Sequence, residues 1–316
     1  MNSSLISVRV QAMRFEAQGI LSVELTAPDG TALPAFAAGS HIDLHLGNGV
    51  VRSYSLLNPP TEQHRYVVGV LNDRNSRGGS RYVHEQLRVG TTLTISAPRN
   101  NFPLDESAAH SVLIAGGIGI TPISCMLNHL RSQNKSAELL YCARSRAEAA
   151  FSATLLAQPD VSGHFDNERG APPDLRAYLA SKPRDAHFYC CGPTPMLNAF
   201  EAICAELDLP NVHIERFAAA EQVDAVQSDE YVAELARSKK VISVPAGKSL
   251  LDALLDAGLD VEHSCREGIC GACETKVLEG EPEHRDGVLS KSERASNKTM
   301  MVCVSGCKGR RLVLDL

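Results

Sequence analysis

Cys265-Arg-Glu-Gly-Ile-Cys270-Gly-Ala-Cys273, answered further on by Cys303, is the stretch whose reading decides this chain. The spacing C-x4-C-x2-C…C suits a pair of irons bridged by sulfide, which needs four thiolates, three of them from one wrapping loop. Wrapping brings backbone close to sulfur, and Gly268, Gly271 and Ala272 allow that approach. Structural zinc is the competing reading, but zinc ribbons pair two short C-x2-C arms and only one is present. Cys307 competes with Cys303 as fourth ligand. Cys303 fits better, because it follows the apolar Met300-Met-Val302.

Around this loop the residues read as a compact α+β module. Segments 231–237 and 241–244 alternate like paired strands. Residues 249–257 form an amphipathic helix with Ser249 as its cap and Gly258 as its stop, and strands over 275–278 and 311–315 close the module. Residues 231–316 resemble a plant-type ferredoxin domain, with Cys265, Cys270, Cys273 and Cys303 as ligands of a [2Fe-2S] cluster. Upstream, residues 219–230 lack large apolar side chains and periodicity and read as a linker.

Residues 107–222 alternate strands with helices, the pattern of an α/β domain with a parallel sheet. Gly116-Gly-Ile-Gly-Ile-Thr-Pro122 follows the apolar strand 112–115. Its glycines let backbone approach a pyrophosphate, Thr121 suits a cap and Pro122 a first helical turn. Cys191-Gly-Pro193 ends a second strand, at the sheet edge where open α/β sheets bind ligands. A tight strand–helix turn is the bland alternative for the glycines. Arg144, Ser145 and Arg146 stand where an acid would bind a ribose, and could hold a 2′-phosphate.

Residues 1–104 carry short segments at 21–26, 42–46, 66–71 and 91–96 between turn residues, as in an antiparallel barrel. Arg52-Ser-Tyr-Ser55 lies on a strand, and Ser76-Arg-Gly-Gly-Ser80 opens a helix expected over 80–87. An Arg pairs with phosphate, a Tyr ring packs on a flat heterocycle, and glycines before a helix start make an anion site.

Taken together, these motifs resemble the ferredoxin–NADP reductase superfamily. Their order resembles the phthalate dioxygenase reductase and vanillate O-demethylase reductase family, over essentially the whole chain. The resemblance implies a multidomain protein: a flavin-binding antiparallel β-barrel over 1–104, a nucleotide-binding α/β parallel-sheet domain over 107–222 and a plant-type ferredoxin domain over 231–316. It implies FMN held by Arg52, Tyr54 and Ser55, with its phosphate at Arg77, Gly78, Gly79 and Ser80. NADH would lie along Gly116, Gly117, Gly119, Thr121, Pro122, Cys191, Gly192 and Pro193. Ser55 would meet the reactive flavin nitrogen and Cys191 the nicotinamide, as the catalytic pair. Phe217, expected to end the strand over 213–217, resembles an aromatic beside the flavin.

The implied activity is an oxidoreductase passing electrons from NADH to a separate Rieske oxygenase. A stand-alone electron-transfer flavoprotein and a non-enzymatic redox sensor are the alternatives; a sensor needs no hydride donor. The net charge of −6 and the absence of Trp argue against nucleic acid as a partner. No run of apolar residues reaches membrane-spanning length, and the N-terminus does not read as a signal peptide, so a cytoplasmic protein without membrane contact is expected.

Overall fold

The computed structural model describes residues 5–74, 76–217 and 229–316. The expected linker at 219–230 falls, except for Asp229 and Glu230, outside them. The chain divides into two units, Met1–Glu215 and Arg216–Leu316.

The first unit begins with an antiparallel sheet of β1 (Ile6–Ala17), β2 (Ile20–Thr26), β3 (Ser40–His45), β4 (Val51–Ser55), β5 (Tyr66–Leu71), β6 (Thr92–Ile95) and β7 (Arg99–Asn100). The order is β4-β3-β6-β1-β2-β5, with β7 beside β3. A bridge between Leu56 and Val68 joins the two ends and closes the barrel. Leu57 N–H reinforces it by donating to the Val67 carbonyl at 2.9 Å. Closure removes the free edge that an open sheet would expose. Val8, Val10, Val23, Leu25, Ile42, Leu44, Val68 and Val70 fill the interior.

Strand β5 is buried on both faces along Tyr66–Val70. The reason lies at Gly69, where an added Cβ would meet the Thr121 methyl at 2.6 Å. One face of β5 thus lines the barrel while the other packs on the next layer.

That layer is a parallel sheet of β8 (Ser111–Gly116), β9 (Ala137–Ala143), β10 (Val161–Phe165), β11 (His187–Cys191) and β12 (Val212–Glu215), in the order β10-β9-β8-β11-β12. Alternate side chains of its strands fill two cores. Leu113, Ala115, Leu139 and Tyr141 join one with barrel residues Ile20, Ala38 and Phe102. Val112, Ile114, Leu140 and Cys142 join the other. The order reverses at β8, so the carboxyl ends of β8 and β11 flank a switch-point crevice.

The second unit contains β13 (Tyr231–Leu235), β14 (Lys240–Val244), β15 (Glu274–Glu279), β16 (Pro282–Glu283), β17 (Thr299–Met301), β18 (Gly306–Cys307) and β19 (Arg311–Leu314). Five strands run β14-β13-β19-β15-β17, and β16 pairs with β18. The helix Leu250–Asp256 covers the sheet, and the Ser249 hydroxyl caps it by accepting from Asp252 N–H, as the sequence predicts. A second helix, Lys291–Ser296, starts with a reciprocal Ser290/Glu293 capping box. Among the described residues, no helix is long and apolar enough to cross a membrane.

Candidate functional site

On β4, Arg52, Tyr54 and Ser55 stand opposite Leu44, Ile42 and His41 of β3. A Cβ on Gly79 would lie 2.6 Å from Arg52 Cγ, so the guanidinium stem rests on the helix start as the two motifs require. Gly78, at φ 98°, precedes the helix Gly79–Glu85 in a conformation that favours glycine. Ser76 Oγ accepts from the Gly78 and Arg81 N–H groups at 3.2 and 3.4 Å. Ser80 Oγ accepts from Asp73 N–H at 3.2 Å. The serines therefore shape this turn before any ligand arrives. Arg77 sits within the same turn. Tyr54 packs against the barrel core, and burial pushes its hydroxyl up to about 12, so it stays neutral.

The glycine turn and the Cys-Gly-Pro turn interlock. A Cβ on Gly119 would lie 2.2 Å from the Cys191 carbonyl oxygen. One on Gly116 would lie 2.7 Å from Pro193 Cδ, and one on Gly192 would lie 3.1 Å from Gly116 Cα. Gly119 and Gly192 are required by backbone packed on backbone, and Gly116 by the Met196 and Pro193 side chains above it. Gly117 differs: it has positive φ and nothing within 4 Å of an added Cβ, which makes it the glycine open to a ligand. Thr121 is not the helix cap. Gly119 precedes the helix Ile120–Ser132, while the Thr121 hydroxyl donates to the Ile118 carbonyl at 3.1 Å and its methyl meets Gly69. The short 3-10 turn Gly117–Gly119 runs straight into the helix, which starts at Ile120, before the position the sequence suggests, and Pro122 falls in the first turn.

Cys191 ends β11 in register with Glu215 on β12 and Ala115 on β8. It has no exposed surface, and burial, then the nearby Glu215, hold its thiol well above the usual range, so it is a neutral group. Glu215 is a residue that sequence reasoning passed over. Ser55 Oγ donates to its Oε2 at 3.4 Å. The residue keeps some exposed surface, yet enough protein surrounds its carboxyl for burial to push it up to about 8 against the Ser55 bond. Its signal in the sequence is an acid closing the strand Val212-His-Ile-Glu215. The strand stops there and does not reach Phe217, which lies two residues on, in the second unit, 37% exposed.

At the carboxyl ends of β9 and β10, Arg146 is engaged. Its Nε and Nη2 donate to Glu168 at 2.6 and 3.3 Å, and its guanidinium lies 4.4 Å above the Phe165 ring.

In the second unit, Cys265, Cys270, Cys273 and Cys303 are all buried. Their thiols form two contacting pairs, Cys265 with Cys270 and Cys273 with Cys303. Backbone turns inward on them: Cys265 N–H points at Cys270 Sγ at 3.4 Å and Glu267 N–H at Cys265 Sγ at 3.3 Å. Gly268 and Gly271 take positive φ to do this. Two thiol pairs, the first of them facing backbone N–H donors, suit two irons. Cys307 turns away, donating to the Arg311 carbonyl at 3.6 Å.

Residues 233–308 match the 2Fe-2S iron-sulfur cluster binding domain family. The chain is 49% identical to the phenoxybenzoate dioxygenase subunit beta of Ectopseudomonas oleovorans, covering 98% of this chain and 97% of that one. It is 46% identical to the tetrachlorobenzoquinone reductase of Sphingobium chlorophenolicum, covering 99% and 98%. A solved structure of phthalate dioxygenase reductase, described as modular for electron transfer from pyridine nucleotides to [2Fe-2S], superposes with a TM-score of 0.73 at 36% identity, covering 99% and 98%.

Proposed function

From the premise that the chain belongs to the phthalate dioxygenase reductase family, we propose that it carries electrons from NADH through FMN and a [2Fe-2S] cluster to a separate Rieske-type oxygenase or demethylase acting on an aromatic compound. The observation that carries this reading is the cage of four buried thiols on the same chain as the Arg52–Ser55 strand. A hydride donor gives two electrons together and an iron–sulfur centre takes one, and a flavin supplies the chemistry that separates them.

The chain's own groups would do the rest. Arg52 and the Gly78–Gly79 turn hold a phosphate, and Tyr54, packed against the barrel core, keeps part of its ring uncovered for a flat heterocycle. Gly117 opens the switch-point crevice to a dinucleotide, and the Cys191 carbonyl, fixed against Gly119, sets the crevice floor. Glu215 holds a proton near neutral pH and Ser55 links it to the barrel. Cys265, Cys270, Cys273 and Cys303 would hold the cluster, whose binding supplies the one-electron exit. Arg146, held by Glu168, does not stand ready for a 2′-phosphate, which supports NADH as donor. Reliance on NADH also fits a cytoplasmic protein.

The test is direct. Purified chain should carry FMN, iron and acid-labile sulfide, and should support turnover of a partner oxygenase with NADH. Bound zinc without labile sulfide would sink the reading. A second reading, reduction of a small quinone, is favoured by the similarity to tetrachlorobenzoquinone reductase. Rapid NADH-dependent quinone reduction with no transfer to any oxygenase would favour it.

A further inference from the structure

The second unit holds a buried carboxylate that none of these roles uses. Asp286 is 3% exposed. Its Oδ2 accepts from the Val288 and Leu289 N–H groups at 3.1 and 2.8 Å. Arg294 Nη2 stands 3.9 Å from Oδ2 and also donates to the Asp286 carbonyl. His284 Nδ1 stands 3.8 Å from Oδ1. Burying an ionisable group this deeply is costly unless the group is tied into surrounding structure. Here it ties residues 286–289 into a tight turn, with Arg294 and His284 set around the carboxylate.

That turn lies against the cysteine loop. Gly287 N–H donates to the Gly268 carbonyl at 2.8 Å. A Cβ on Gly268 would come within 3.0 Å of Asp286 Cα and 2.6 Å of the Val304 side chain, and φ at Gly268 is +69°. On the other side, Arg285 N–H donates to Ser305 Oγ at 3.3 Å, two residues past Cys303. The Gly268 carbonyl is thereby gripped one residue past Glu267, whose N–H points at Cys265 Sγ at 3.3 Å.

We propose that Asp286 is a positioning residue for the iron–sulfur centre: it holds the turn that pins the Gly268 carbonyl, and so keeps the N–H groups of the adjoining loop, those of Cys265 and Glu267, aimed at ligand sulfur. Donors to ligand sulfur stabilise the more negative, reduced centre and raise its potential. The carboxylate acts through geometry, since Arg294 stands against its charge.

The experiment is a redox titration of the full-length chain, with the cluster followed by electron paramagnetic resonance and the flavin read in parallel as an internal reference. Asp286→Ala should shift the cluster about tenfold against reduction, about 59 mV for one electron, and change its g-values, with the flavin unmoved. Asp286→Asn keeps an oxygen for the Val288 and Leu289 N–H groups and should restore most of the shift. A cluster potential in Asp286→Ala within about twofold of the native equilibrium would overturn the proposal. So would equal upward shifts in both variants, which would mean that the carboxylate acts only by its charge. If Asp286→Ala does not load a cluster, Arg294→Gln decides. It removes the donor to the Asp286 carbonyl from a partly exposed position; a smaller downward shift supports the proposal and a native potential overturns it.

Discussion

The Ser55 hydroxyl meets the Glu215 carboxyl across 3.4 Å, joining a barrel strand to the last strand of the parallel sheet. Glu215 stands in register with Cys191, so a hydroxyl, a carboxyl and a neutral thiol gather where the two layers meet. The carboxyl, raised to about 8, keeps a proton at neutral pH that the unfolded chain would release near its ordinary value of 4.5. The folded state thus binds more protons, and the destabilisation is absent below about 4.5 and grows as pH rises to about 8. Glu215→Gln removes it. Denaturation midpoints should therefore match the native protein near pH 4.5 and exceed it increasingly towards pH 8. Parallel pH profiles for the two proteins would refute this.

Nucleotide choice should rest on Glu168. Its carboxylate occupies Arg146 and adds negative charge beside the place where a ribose would lie. A 2′-phosphate arriving there meets repulsion and finds the guanidinium taken. Glu168→Gln should raise the ratio of kcat/KM for NADPH over NADH by at least about tenfold. Arg146→Ala alone should not. An unchanged ratio in Glu168→Gln would place selectivity elsewhere.

Much of this architecture was legible because its signals are local. The buried parallel strands read as short apolar runs, and Tyr66–Leu71 is bounded as the sequence predicts. The cysteine spacing alone separates two irons from one zinc. What escaped depends on distant partners. The importance of Glu215 rests on Ser55, 160 residues away in the chain. Strand β10, Val161-Ser-Gly-His-Phe165, is a polar edge strand with a central glycine, so it carries little apolar pattern. Strand β1 does alternate, with Val8 and Val10 inward, but a register break between Val10 and Ala12 blurs its later half. Thr121 looked like a cap because the 3-10 turn before it cannot be inferred from glycine and threonine alone.

The fourth thiol can be settled by paired substitutions. Cys303 contacts Cys273, while Cys307, on β18, faces the carbonyl of Arg311 on β19. Cys307→Ser should keep two irons and native visible absorbance, at a modest loss of stability from a polar atom in a small core. Cys270→Ser and Cys303→Ser should lower iron content or shift the cluster's spectrum. Iron loss in Cys307→Ser with retention in Cys303→Ser would reverse the assignment.

A chain ending at Ala220 should separate the two electron steps. Residues up to Glu215 form their own unit, with a closed barrel and a complete five-stranded sheet, whereas the thiol cage lies wholly in the other. Each unit also has its own hydrophobic clusters, which is what independent folding requires. The truncated chain should bind flavin and oxidise NADH with ferricyanide, an acceptor able to draw electrons from the flavin directly. It should lose transfer to cytochrome c and to an oxygenase partner, since no one-electron exit remains. Failure to bind flavin would mean that the first unit depends on the second for its fold. Full-rate reduction of an oxygenase by the truncated chain would remove the cluster from the electron path and with it the reading of the whole protein.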